Sequence, residues 1–250
     1  MTKSDILTTA LAAVCVAGSV WAENTTEGRI DQVSTHMGEM IVTMETEADT
    51  KTERDTVRFE PWQMANDLLN RDDIVFLMRH GPTDWTKRDI VNVAPTDCAN
   101  QRIMTEDGKE DMLNFGILLA ANDVRPGKII VSEWCRNQQT VSAFMDGMRM
   151  VNPDYAESLT IETSADLNLL LSLQGAPTVT AMREMISTWT GEDHDGPLLL
   201  ISHFTNIDEL TEFHVYEGEL LVLDPKRENR VLGYVRLKSA SPDVGHFSTE

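Results

Sequence analysis

The sequence predicts an α/β fold, a three-layer sandwich with a mostly parallel central sheet and helices on both faces. Short apolar runs alternate with longer segments of helical periodicity from about residue 74 to residue 202. Polar residues follow three of these runs directly or within a few positions, namely Arg79-His80, Arg136 and His203. Because the carboxyl ends of parallel strands meet at one edge of a sheet, we expect these side chains to converge on one site.

The predicted strands are short apolar runs, the kind that a sheet covered on both faces buries. The first spans residues 74–78 and ends at Arg79-His80-Gly81. Two later runs flank an Asp-Pro-Lys-Arg-Glu-Asn turn and predict a hairpin. The remaining strands are expected over residues 128–132, 159–162 and 198–202, and the hairpin over residues 219–223 and 231–237.

Helices are predicted between these strands from capping residues and apolar spacing. Thr105 caps one helix, and Glu106 and Asp107 in its first turn suit the positive end of the helix dipole. Further helices are expected around Trp62, over residues 136–148, and over residues 177–189, where Pro177 opens the helix.

The amino-terminal region divides the chain into three parts. Residues 1–22 resemble a secretory signal peptide, with Lys3 ahead of an apolar stretch and compact residues before a cleavage position after Ala22. An uncleaved amino-terminal anchor is the alternative. Residues 23–57 are rich in Thr, Glu and Asp and predict an acidic flexible linker, and residues 58–250 form the folded domain. The expected location is the periplasm or the outside of the cell.

The formal net charge of −20 restricts the partners of the chain. Such a surface repels phosphate backbones and anionic lipid headgroups, so no nucleic acid is expected as a partner. Stable membrane insertion after signal cleavage is not expected either. An anionic substrate would have to be held by a few focused cations.

Two cysteines, Cys98 and Cys135, remain after cleavage at Ala22. An oxidising compartment would permit a disulfide between them. Two separate buried thiols are the alternative, because a free cysteine packs as a small apolar residue. Sequence does not distinguish these arrangements.

The predicted site combines two arginines with two histidines. Arginine presents a rigid fork of permanently charged donors that matches the oxygens of a phosphoryl group. A neutral histidine can attack phosphorus and form a covalent intermediate. Arg79, Arg136, His80 and His203 therefore carry the residue types that phosphoryl transfer requires.

These residues also carry a resemblance to a known family. The strand ending in Arg79-His80-Gly81 resembles that of the histidine phosphatase superfamily, which includes the phosphoglycerate mutases and acid phosphatases. The segments that follow occur in the family's order and spacing over roughly residues 74–223. They are Cys98-x-x-Gln101-Arg102-x-Met104-Thr105-x-x-Gly108, Val131-Ser132-x-x-Cys135-Arg136-x-x-x-Thr140 and Ile201-Ser202-His203-x-x-Asn206-Ile207.

The resemblance implies a role for each matching residue. His80 would be the nucleophile, passing through a phosphohistidine that water hydrolyses. Arg79, Arg136 and His203 would bind the phosphoryl group and stabilise its transition-state charge. Gly81 would let the backbone pack against the imidazole and determine which nitrogen attacks. The resemblance implies no metal and no organic cofactor.

Thr83 and Arg102 have two interpretations each. The Thr83 hydroxyl would either contact the phosphate or cap a turn. Arg102 would either contact the substrate or lie on the surface as an ordinary charge.

The proton donor is where the sequence departs from the family. The acid phosphatase branch has an aspartate directly after the second histidine, but this chain has Phe204 there. In the mutase branch a glutamate follows the strand after the second arginine, and the corresponding stretch here offers Asp166. Asp166 is the predicted donor, and its rivals are Asp84, Glu133 and Glu219.

The predicted function is an exported phosphatase that acts on a small or lipid-linked phosphomonoester. A phosphoryl-transfer mutase is a second reading, disfavoured by export and by the absence of long insertions in a chain of 250 residues. The third is a binding or regulatory protein that retains the phosphate pocket without turnover. The sequence does not predict the oligomeric state.

Overall fold

The fold is taken from a computed structural model that describes residues 33–35, 40–43, 54–57, 71–170, 172 and 174–237. The predicted signal peptide and the helix predicted around Trp62 lie outside these residues. Within them, no helix is long and apolar enough to cross a membrane.

Seven strands form the main sheet, in the order β1-β9-β8-β4-β7-β5-β6. Strands β4, β7, β5 and β6 pair parallel with their neighbours, whereas β8, β9 and β1 add antiparallel pairs on the other side of β4. The predicted α/β class is confirmed. The strands are β1 (Val33–Thr35), β4 (Val75–Arg79), β5 (Lys128–Ser132), β6 (Thr160–Ser164), β7 (Leu198–Ser202), β8 (Leu220–Asp224) and β9 (Arg230–Leu237).

Helices cover both faces of this sheet. The Thr105 hydroxyl accepts a hydrogen bond from the Gly108 amide at 2.9 Å, so the predicted cap is confirmed. The predicted start at Pro177 is wrong, because the Thr178 hydroxyl accepts a bond from the Thr180 amide and a turn precedes the helix. The helices are α1 (Glu106–Ala121), α2 (Cys135–Val151), α3 (Pro153–Ser158), α4 (Thr180–Ser187) and α5 (Phe204–Thr211).

Alternate residues of the buried strands supply the two cores. On β4, Phe76 and Met78 face a core shared with α1 and α2, whereas Val75 and Leu77 face a core shared with α4 and α5. Apolar burial on both faces is the reason that these strands have continuous apolar sequences. The parallel pairing of β4, β7 and β5 brings their carboxyl ends together at one edge of the sheet.

The segment predicted as a flexible linker contains strands. Val33–Thr35 is β1 of the main sheet and pairs with β9. Strands β2 (Met40–Thr43) and β3 (Arg54–Val57) pair antiparallel as a separate two-stranded sheet. The linker prediction did not include this pairing, because the composition is polar and charged.

Candidate active site

Three neighbouring strands bring the predicted nucleophile and the three predicted phosphate-binding residues to one place. His80 follows β4, His203 follows β7, and Arg136 lies in the first turn of α2 after β5. The rings of His80 and His203 meet edge to face with their centroids 5.6 Å apart. Arg79, His80, Arg136 and His203 are each at most 2% exposed. The structure therefore brings together residues from three distant stretches of the chain.

The contacts of His80 determine which ring nitrogen can react. Its Nδ1 lies 3.0 Å from the Gly81 carbonyl oxygen, which accepts a hydrogen bond only if Nδ1 carries the proton. Nε2 of the neutral ring then keeps its lone pair. Burial, together with the positive charges of Arg136 and Arg79, lowers the pKa of His80 well below its ordinary value. The imidazole is therefore neutral at pH 7.

Close packing around Gly81 leaves no room for a side chain at this position. A β-carbon on Gly81 would lie 2.6 Å from Met112 Cγ and 2.7 Å from Met104 Cε. The Gly81 amide donates to the Thr140 hydroxyl at 2.8 Å, and that hydroxyl donates to the Arg136 carbonyl at 2.7 Å. The turn that carries His80 is thus bonded directly to the helix that carries Arg136.

His203 belongs to a buried chain of hydrogen bonds. Its Nε2 lies 3.1 Å from Ser132 Oγ, which lies 2.9 Å from Asn168 Oδ1. The side-chain nitrogen of Asn168, Nδ2, donates to a carboxylate oxygen of Glu133 at 2.7 Å. Burial and the charges of Arg136, Arg79 and Arg102 lower the pKa of His203 well below its ordinary value. Within the described residues, His203 Nδ1 has no hydrogen-bond partner.

Arg136 lies where a helix dipole disfavours a cation, and it has a carboxylate partner. Its Nη1 is 3.1 and 3.2 Å from the two carboxylate oxygens of Asp89. Its guanidinium carbon lies 4.7 Å from the centroid of Trp134, whose own ring meets His203 edge to face. Burial lowers the pKa of Arg136 to about 10, against the opposing effect of Asp89. The guanidinium remains charged at neutral pH.

Phe204, which follows His203 directly, packs against Arg79. The guanidinium carbon of Arg79 lies 5.2 Å from the Phe204 ring centroid, within the range of a cation–π interaction. Arg79 also donates to the Val215 carbonyl at 2.8 Å. Phe204 therefore packs against the guanidinium group of Arg79, and its side chain has no proton to donate.

Glu217 is an acidic residue of the site that the sequence analysis missed. Its carboxylate accepts hydrogen bonds from the Thr83 amide at 3.0 Å, from the Thr83 hydroxyl at 2.5 Å and from Trp85 Nε1 at 3.1 Å. One of its oxygens lies 3.6 Å from Arg79 Nη2 and 4.0 Å from His80 Nδ1. The single hydroxyl proton of Thr83 goes to Glu217, and a contact between Thr83 and phosphate stays a prediction.

Arg102 joins the site and does not lie on the surface as an isolated charge. Its Nη2 is 3.7 Å from Glu217, and its guanidinium carbon is 3.7 Å from the centroid of the Trp85 ring. Its backbone amide donates to Asp89 at 2.6 Å. The same carboxylate therefore contacts both Arg102 and Arg136.

The four candidate proton donors occupy different environments. Asp166 lies on an exposed 3₁₀ turn, and within the described residues its carboxylate contacts none of Arg79, His80, Arg136 and His203. Asp84 accepts bonds from the Thr86 amide and hydroxyl, which lower its pKa and keep it ionised. Glu219 is buried in an ion pair with Arg236 at 3.0 Å. Only Glu133, among these four, is joined to His203, through Asn168 and Ser132.

A disulfide joins Cys98 to Cys135, with their α-carbons 5.5 Å apart. Of the two arrangements left open by the sequence, the structure has the bonded one. Cys135 precedes Arg136, and its amide donates to the side chain of Gln101, the neighbour of Arg102. The bond thus fastens the loop that carries Arg102 to the first turn of α2. The part of the chain that the structure describes contains no group of three potential metal-ligating side chains close enough to hold an ion.

Sequence signals for the missed residues are weak. Glu217 lies two positions before Glu219 in the same turn, and both precede β8. Asp89, Trp85 and Trp134 have no motif of their own. Asp89 and Trp85 contact residues 13 to 132 positions away in the chain, and Trp134 contacts the distant His203.

Comparisons with known proteins give matches among solved structures. No family model matches this chain, and no curated protein sequence matches it. The protein histidine phosphatase SixA complexed with tungstate is similar, with 18% identity, a TM-score of 0.47, and coverage of 66% of this chain and 97% of that chain. The α-ribazole phosphatase from Shigella flexneri has 19% identity and a TM-score of 0.41, and the match covers 69% of this chain and 99% of that chain. A phosphoglycerate mutase from Plasmodium falciparum has 16% identity and a TM-score of 0.41, and the match covers 71% of this chain and 96% of that chain. Histidine phosphatases and phosphoglycerate mutases are thus among the folds that this chain resembles.

Proposed function

We propose that this chain is an exported phosphatase that hydrolyses a phosphomonoester through a phosphohistidine on His80. The supporting observation is the state of His80: a buried neutral imidazole with Nδ1 bonded to the Gly81 carbonyl, surrounded by Arg79, Arg136 and His203. A simple anion site would need the arginines but not a neutral histidine with a free lone pair.

In the first step, the Nε2 lone pair of His80 attacks phosphorus, and the bond from phosphorus to the ester oxygen breaks. Arg79 and Arg136 stabilise the negative charge on the equatorial oxygens. Among the described residues, Arg79, Arg102 and Arg136 lie around the two neutral histidines, with the carboxylates of Asp89 and Glu217 beside them. A group of three arginines in a chain of net charge −20 provides a local attraction for a phosphate.

The ester oxygen must receive a proton as it leaves. We assign this proton to Glu133, because it is the one of the four candidates whose carboxylate is linked to His203 by hydrogen bonds, through Asn168 and Ser132. Asp166, the donor predicted from chain order, is the competing assignment. Its exposed position argues against it.

In the second step, water attacks phosphorus and the bond from phosphorus to Nε2 breaks. The carboxylate left on Glu133 accepts a proton from this water, and inorganic phosphate leaves. His80 returns to its neutral state with the Nδ1 proton still donated to Gly81.

The Cys98–Cys135 disulfide supports export. Disulfides persist in oxidising compartments such as the periplasm and the extracellular space, and thiols in the cytosol are kept reduced. A periplasmic or secreted location therefore agrees with the signal-like residues 1–22.

A binding protein that retains the pocket is the second candidate. The observation in its favour is Phe204, which stands where one branch of the resembling family has an acid and which packs on Arg79. Such a protein would bind phosphate with His80 present but would not release an alcohol.

Hydrolysis of p-nitrophenyl phosphate and of an alkyl phosphate by the full chain tests the proposal. We expect turnover that a metal chelator does not inhibit. His80→Ala should lower kcat on the order of 10³-fold or more, because the nucleophile is lost. Glu133→Gln should lower kcat by about 10²-fold on the alkyl phosphate and by less on p-nitrophenyl phosphate, whose leaving group needs less protonation.

Matched variants separate these effects from general damage. His194→Ala removes a histidine that stacks on Trp189 near Gly127, at the opposite end of the sheet, and should leave kcat unchanged. Asp166→Asn should also leave kcat unchanged. A loss confined to Asp166→Asn would return the donor role to Asp166, and phosphate binding without any turnover would favour the binding protein.

A further inference from the structure

Apolar groups adjoin the cationic site. Phe204 and Trp85, both half-buried, lie against the guanidinium groups of Arg79 and Arg102. Each ring therefore has one face on a cation and remains partly open to solvent. Aromatic rings in this position offer apolar contact to whatever is attached to a bound phosphate.

An exposed apolar pair lies on the same loop as Trp85 and Arg102, between β4 and α1. Ile90 is 57% exposed and Val91 is 85% exposed. They follow Asp89 directly in the chain, and the Asp89 carboxylate contacts Arg136 at 3.1 Å. The pair is thus one and two residues from a carboxylate that touches the phosphate-binding arginine.

Hydrogen bonds hold this pair in place. The Ile90 amide donates to the Asn100 carbonyl at 3.0 Å, and the Val93 amide donates to the Ile90 carbonyl at 3.1 Å. The turn between them contains Asn92 in the left-handed conformation, with φ of 62°. The same loop is fastened through the Cys98–Cys135 disulfide. The backbone that carries the two apolar side chains is therefore held by hydrogen bonds next to Asp89.

We propose that the phosphomonoester carries an extended apolar chain on its alcohol side, and that Ile90 and Val91 cover this chain when the phosphate is bound. This inference rests on the proposed function for the identity of the bound group, and it names the substrate class. A cationic pocket for the phosphoryl group beside an apolar border matches an amphiphile, whose charged head and apolar tail need these two environments next to each other.

Affinity for n-alkylphosphonates of increasing length tests the inference without requiring turnover. These compounds keep the phosphate-like head, and their carbon–phosphorus bond is not hydrolysed. Calorimetric titration of the full chain with methyl-, butyl- and octylphosphonate should show tighter binding with length, by up to about fourfold per buried methylene. The double variant Ile90→Ser/Val91→Ser should bind methylphosphonate as the native chain does and lose most of the gain with length.

The control replaces exposed apolar residues elsewhere. Ile161 lies on edge strand β6 and is 44% exposed, and Met150 near the end of α2 is 64% exposed. Ile161→Ser/Met150→Ser should keep the full dependence on chain length. Equal affinity for all three phosphonates in the native chain, or an unchanged dependence in the Ile90→Ser/Val91→Ser variant, would overturn the inference. Hydrolysis of p-nitrophenyl phosphate, measured separately, reports on the proposed function alone.

The amphiphile could be either a dissolved phosphate ester or a lipid in a bilayer, because both have a phosphate head and an apolar chain. Sedimentation of the chain with phosphatidylcholine vesicles that contain phosphatidate separates them. Co-sedimentation that is weakened by Ile90→Ser/Val91→Ser supports a bilayer source. Octylphosphonate binding without co-sedimentation supports a dissolved amphiphile.

Discussion

His80 and His203 are buried beside arginines, and this has a consequence for the stability of the ligand-free chain. Their pKa values in the folded chain lie well below the ordinary value of 6.5, mainly through burial. Between the lowered pKa and 6.5, the unfolded chain binds more protons than the folded chain does. Stability therefore rises with pH across this window and is lost as the pH falls below about 6.5.

We expect the Tm of the ligand-free chain to fall when the pH is lowered from 7 to 5. The variant His203→Asn should flatten this dependence, because it removes one of the two histidines that must stay neutral. Differential scanning calorimetry in a series of buffers measures the effect, with His194→Asn as the control for loss of a histidine as such. A Tm that does not change between pH 6.5 and pH 5 would contradict the burial of neutral imidazoles.

At the residue scale, the sequence could predict the groups that follow strands but not the groups that neutralise them. Arg79, His80 and His203 are identifiable because each comes directly after an apolar run. Asp89 and Glu217 are not, because a carboxylate in a loop has no periodicity, and this chain has 41 acidic residues. Only the folded loop shows that these two contact Arg136 and Arg79.

At the element scale, the long loop between β4 and α1 depends on one covalent bond. It carries Trp85, Asp89 and Arg102, and the disulfide ties it to Cys135 at the start of α2. The loop also has hydrogen bonds, including those from the Gln101 side chain to the Ala94 and Pro95 carbonyls at 2.7 Å. The disulfide closes a loop between residues 37 positions apart and so reduces the number of conformations open to the unfolded chain.

Removal of this disulfide should lower the free energy of unfolding by about 4 kcal/mol, the loop-closure entropy expected for this separation. Urea unfolding of Cys98→Ala/Cys135→Ala under oxidising conditions measures the change. The single variant Cys98→Ala is the control, and it should lose a similar amount because it breaks the same bond. A double variant within about 0.5 kcal/mol of the native chain would contradict a structural role for the bond. Phosphate affinity should also fall when the disulfide is removed, because Arg102 and Arg136 lie close in the chain to the two cysteines.

Strands were more predictable than helix boundaries in this chain. The run 128–132 and the run 198–202 coincide with β5 and β7, because burial on both faces requires an uninterrupted apolar stretch. Helix α4 begins three residues after Pro177, since a local hydrogen bond from the Thr180 amide to the Thr178 hydroxyl competes with helix formation. Helix α5 was not predicted, because Phe204–Thr211 spans two turns and follows His203 without a capping side-chain bond.

At the scale of the whole molecule, the topology explains how an acidic chain gathers arginines at one place. Parallel pairing of β4, β7 and β5 gathers arginines that are 23 to 57 positions apart in sequence at one edge of the sheet. Charge counted over the whole chain hides this cluster. The alternation of strands and helices in the sequence predicts a mostly parallel sheet. It does not predict the antiparallel pairing of β1 with β9, since Val33–Thr35 lies in a polar segment.

The central claim is that His80 forms a covalent bond to phosphorus, and trapping this intermediate tests it most directly. The full chain is mixed with ³²P-labelled p-nitrophenyl phosphate, quenched in alkali within milliseconds, digested and mapped. We predict a label that is stable in alkali and lost in acid, located on the peptide that contains His80 and absent from His80→Ala. Turnover that continues in His80→Ala, or a label that resides on another residue, would contradict the account.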